Sequence, residues 1–146
     1  MVRRIVLGLA GSVALAACAP PHQGFFQFAE IPAPPERACV REVAQSVADP
    51  GSVSERDERG DWIVEYLRGG TRYGMQVSPR GTPPFFAHYG WAERDAPVAL
   101  LGRMRDQMRE VTLLVQSRCG VTDLAKRVKE QCAGVHCPEL GKPGTR

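Results

Sequence analysis

The chain has 146 residues, 43% of them apolar, with 19 basic side chains against 16 acidic ones and a formal charge of +3. That length suits one domain built on one core. The charge is small and unclustered, which argues against a nucleic-acid partner, and the dominance of arginine over lysine reads as genomic codon usage.

The first stretch is organised for export. Arg3 and Arg4 open it, thirteen uncharged residues run from Ile5 to Ala17, and Leu15-Ala16-Ala17-Cys18 closes it on a cysteine. A charged start, an apolar run and a small-residue site in that order form a secretion signal. The run is shorter than the roughly 20 residues a membrane span needs. Its last four residues resemble the lipobox of bacterial lipoproteins, a resemblance confined to residues 1–18. It implies removal of residues 1–17, a diacylglycerol on the Cys18 thiol, and usually an acyl group on the new amino terminus. Several acyl chains, at about 0.8 kcal/mol per buried methylene, make such attachment stable. With Ala19 rather than an acidic residue after the cysteine, the resemblance implies the outer membrane, facing the periplasm. Loss of Arg3 and Arg4 brings the charge from +3 to +1.

Residues 19–35 contain five prolines and no basic residue, which predicts a Pro-rich tether over 18–35. If extended like polyproline, it would reach roughly 50 Å from the lipid. Phe25, Phe26 and Phe28 stand in it as candidate interaction residues, for the membrane interface, for a partner, or for a groove on the domain itself. His22 carries no assignment.

A single domain is expected over 36–137. Pro34-Pro35-Glu36 opens a short helix, with Val40, Val43, Ala44 and Val47 at helical spacing, ending near Asp49-Pro50-Gly51. The period then changes to two. Trp62, Val64 and Tyr66 alternate along one strand; Tyr73, Met75 and Val77 along a second; Phe85, Ala87, Tyr89 and Trp91 along a third. Gly69-Gly70 supplies a hairpin turn, and Ser52 to Asp57 supplies a fourth, weaker strand turning at Glu58-Arg59-Gly60. From Pro97 a helix of about twenty residues carries Leu101, Met104, Met108, Val111 and Val115 on one stripe and ends at Cys119-Gly120. A short last helix from Thr122-Asp123 aligns Val121, Leu124, Val128 and Cys132, with Lys126, Arg127 and Lys129 in solvent; a loose tail follows over 138–146. The expected fold class is α+β: short helix, three- or four-stranded antiparallel meander, long amphipathic helix packed on the sheet, short C-terminal helix.

Beyond Cys18 the cysteines number four, and an even count in an exported chain reads as two disulfides. Spacing does not choose among the three pairings; we favour Cys39 with Cys119 and Cys132 with Cys137. The competing use of Cys132, His136 and Cys137 as metal ligands lacks an evident fourth donor.

No cofactor motif, nucleophile elbow or zinc-protease helix is present, so neither a catalytic residue nor a cofactor is assigned. His88, expected on the wet face of its strand with Glu93 and Asp95 following, is the best isolated candidate for a base. The expected function is a lipid-anchored, disulfide-bonded envelope lipoprotein with a binding or scaffolding role. It is held to the membrane through Cys18 and partnered by an envelope protein. The alternative is an enzyme or enzyme inhibitor acting on peptidoglycan or other envelope polymers, an inhibitor presenting the Pro79 to Pro84 connection.

Overall fold

The computed structural model describes residues 22–134 and Cys137. The expected leader over 1–17, Cys18 and the tail over 138–146 lie outside the described residues. The elements run β1 (His22–Glu30), α1 (Arg37–Val47), β2 (Ser54–Glu58), β3 (Asp61–Arg68), β4 (Thr71–Ser78), β5 (Phe85–Glu93), α2 (Val98–Cys119), α3 (Leu124–Arg127) and β6 (Lys129–Ala133). The class is α+β, with α2 packed on an antiparallel sheet ordered β2-β3-β4-β5-β1-β6. The β2 to β5 meander was legible in the sequence; β1 and β6 extend it.

β1 corrects the tether. Its nine residues pair with β5 on one side and, from Gly24 to Phe28, with β6 on the other, so it lies inside the sheet. The physical reason is local: all five prolines of 19–35 fall outside His22–Glu30, and proline forbids only the ladder positions it occupies. The folded unit therefore begins at His22 rather than at residue 36. β6 corrects the last helix, which stops at Arg127; Val128 is extended, and the following five residues pair with β1, placing Cys132 opposite Phe25. Helical spacing carries the pattern through to Cys132 because the two periods agree over so few residues.

The helices cover one face of the sheet. Val40, Val43 and Ala44 of α1, Leu101, Met104, Met108, Val111 and Val115 of α2, and Leu124 of α3 share one core with Phe25, Val64, Tyr66, Tyr73, Met75, Val77 and Phe86. The two disulfides are Cys39–Cys119, joining the start of α1 to the end of α2, and Cys132–Cys137, at the end of β6. The latter bond occupies two of the thiols considered for a metal; His136 lies outside the described residues. α2 ends as its sequence predicts, on Gly120 in the left-handed conformation at φ 66°. The β3–β4 turn holds Gly69 and Gly70 at φ 57° and 77°, and the Asp49 carboxylate accepts both of their amides at 2.8 and 2.9 Å. Those bonds hold the Asp49 carboxyl below the usual carboxylate range.

Candidate functional site

The third meander strand, β5, is turned over relative to expectation. Phe86, His88 and Gly90 face the helices, while Phe85, Ala87, Tyr89 and Trp91 face outward. The more aromatic set is the exposed one. Two facts explain the inversion. Gly90 leaves room for the Tyr73 ring, which a Cβ there would approach to 2.9 Å. His88, fully buried, is satisfied within a polar chain between sheet and α2.

That chain has a direction. The Thr112 hydroxyl donates to Gln27 Oε1 at 2.7 Å, so it can only accept from His88 Nδ1, 3.3 Å away. His88 Nε2 is then the acceptor for the Tyr66 hydroxyl at 3.1 Å, which assigns the tautomer from the network. Gln27 Nε2 donates onward to Glu130 at 3.0 Å, and Arg109 grips both Glu130 oxygens at 2.7 and 3.2 Å. Burial pushes the His88 ring down to about 3, against a weaker opposing bond to the Met108 backbone. Burial likewise raises the Tyr66 phenol. Burial alone would raise the Glu130 carboxyl too, but the bonds from Arg109 and Gln27 bring it below its ordinary value. A histidine held near 3 is a weak base at neutral pH. The chain opens on a surface cavity of about 360 Å3 between Gln27, Arg109, Thr112, Leu113, Val128 and Glu130, where the Arg109–Glu130 pair is already mutually satisfied. The arrangement orders β1, β5, β6 and α2 against one another.

Register lines up the outward residues in cross-strand rows. One row runs Ile63, Gln76, Ala87, Phe28, Lys129; the next Glu65, Gly74, Tyr89, Phe26, Gln131; the next Leu67, Arg72, Trp91, Gly24, Ala133. Tyr89 and Trp91 pack with tilted rings at 4.5 Å between centroids, and Phe28 and Phe85 likewise at 5.1 Å. Tyr89 lies across Gly74, occupying the space a Cβ would take. Phe26 is 41% exposed and Leu67 36%, while Phe28, Phe85, Tyr89 and Trp91 are half-buried. A groove of about 450 Å3 is lined by Phe26, Tyr89 and Trp91 together with Gln131 to Ala133. Among the described residues no element covers this face.

The three phenylalanines singled out in the sequence are thus divided. Phe25 is buried in the core at 5% exposure, packed beneath the sheet; Phe26 and Phe28 stand on the open face. Tyr89 and Trp91 belong with them, and the signal that could have found them is the alternation of β5, read with the opposite face buried. Cys39, Cys119, Cys132 and Cys137 are all in disulfides. Compared with protein-family models, curated proteins and solved structures, the chain matches none.

Proposed function

We propose that the chain is a lipid-anchored lipoprotein of the bacterial cell envelope, with a non-catalytic binding or scaffolding role served by the open face of its sheet. The observation that carries the reading is the order of Arg3, Arg4, the uncharged run and Leu15-Ala16-Ala17-Cys18. Two disulfides accord with an oxidising compartment. Partly exposed aromatics on neighbouring rows of one sheet face support binding, since a monomeric surface rarely leaves such a patch unused. Ala19 favours the outer membrane, with the domain in the periplasm. Replacing the thiol tests this directly. Cys18→Ser is expected to lose the mature, membrane-held species, leaving uncleaved precursor or released protein; full membrane partition of the variant at the mature size would refute the anchor.

A further inference from the structure

We infer that the open sheet face rests on the bilayer that anchors the chain, with Phe26, Tyr89 and Trp91 seated in the headgroup interface; this deepens, and rests on, the anchor proposed above. Between Cys18 and β1 stand only Ala19, Pro20 and Pro21. Four Cα steps reach at most about 14 Å, so a lipidated Cys18 ties the sheet itself, rather than a distant domain, to the membrane surface. His22, where the chain enters, belongs to the same outward set as Gly24, Phe26 and Phe28. The aromatics cluster toward that end: Trp91 pairs with Gly24 and Tyr89 with Phe26, both within the first five residues of β1.

The chemistry of the patch suits an interface. Trp and Tyr present an apolar ring with one polar handle and favour the headgroup level. The charged groups at this end are Arg72 and Arg94 against Glu93 and Asp95, while Glu65 behind them is bonded by Arg56 at 2.7 Å. With the signs balanced, the attraction is apolar and does not depend on anionic lipid. A protein partner on the same face would have to enter a gap bounded by a 14 Å leash, which favours the bilayer as occupant.

The test uses the acylated full chain in phosphatidylethanolamine vesicles carrying brominated acyl chains, with and without phosphatidylglycerol. Trp62, 2% exposed beneath the sheet, is an internal reference. Bromolipid is expected to quench the wild-type emission, to lose that effect in Trp91→Phe, and to act equally with and without the anionic lipid. Vesicle-bound, acylated protein whose Trp91 stays unquenched would overturn the inference while leaving the anchor intact. So would a protein adduct, rather than lipid, captured in cells from Phe26→benzoylphenylalanine. An intact mass without acyl chains in the same preparation would overturn both readings.

Discussion

His88 shows how one side chain couples packing to pH. Its folded value of about 3 lies below the ordinary 6.5, so between those limits the unfolded chain binds the extra proton and stability falls as pH is lowered. The slope approaches about 1.4 kcal/mol per pH unit through that window. The carboxyls of Asp49, Glu55 and Glu130, all held below their usual range, add acid sensitivity only beneath the ordinary carboxylate values. Urea titrations kept above about pH 5.5, where those carboxyls stay ionised folded and unfolded, therefore isolate the histidine, and His88→Gln is expected to flatten the profile there. Parallel profiles for variant and wild type would show that the ring is not buried neutral. Gly90 controls the other half of the inversion. Gly90→Ala would press a Cβ to 2.9 Å from the Tyr73 ring and 3.3 Å from Met104, and is expected to cost about 1–3 kcal/mol in chemical denaturation. Neither residue's orientation was legible in the sequence. Alternation gives two faces but not which is inside, and the richer aromatic face of β5 invited the opposite assignment. The candidate site was half visible: Phe26 and Phe28 stood out by type, whereas Tyr89 and Trp91 alternate with His88 on a strand whose sequence does not say which side is buried.

At the scale of elements, α1, the β2 to β5 meander and α2 follow from local signals that agree with their environment. Val40, Val43 and Ala44 are buried at helical spacing, and Gly120 caps α2 in the left-handed region. β1 and β6 were not legible because each is stabilised by its neighbours rather than by its own pattern. In β1 the inward positions alternate Gln23, Phe25, Gln27 and Ala29, so two buried glutamines hide the apolar period. In β6 only Cys132 is apolar among the residues that face inward. The correction has consequences. A chain truncated to residues 36–137 is expected to lack cooperative unfolding, since it omits a strand paired on both sides; a sharp native transition in that fragment would restore the tether. Phe25→Ala is expected to cost about 3–5 kcal/mol. The Cys39–Cys119 bridge spans 80 residues, and Cys39→Ser with Cys119→Ser is expected to lose about 4–5 kcal/mol by the loop-entropy argument, checked by denaturation under otherwise equal conditions.

Among the described residues α1, α2 and α3 lie on one side of the sheet, and the other side carries aromatics on neighbouring rows, Trp91 and Tyr89 pairing with the first half of β1. The proposed anchor at Cys18 stands four residues before His22, the end of β1 nearest the Tyr89 and Trp91 pairings. Edge strand β2 is wholly exposed and densely charged, with Arg41 paired to Glu55 and Arg56 to Glu65. Such an edge resists pairing with another sheet. The most direct test is the intact mass of the protein extracted from its own membrane. The account predicts a chain that begins at Cys18 and carries diacylglycerol and acyl chains, with two disulfides opening on reduction. A mass for an unmodified chain, or one beginning elsewhere, would contradict it.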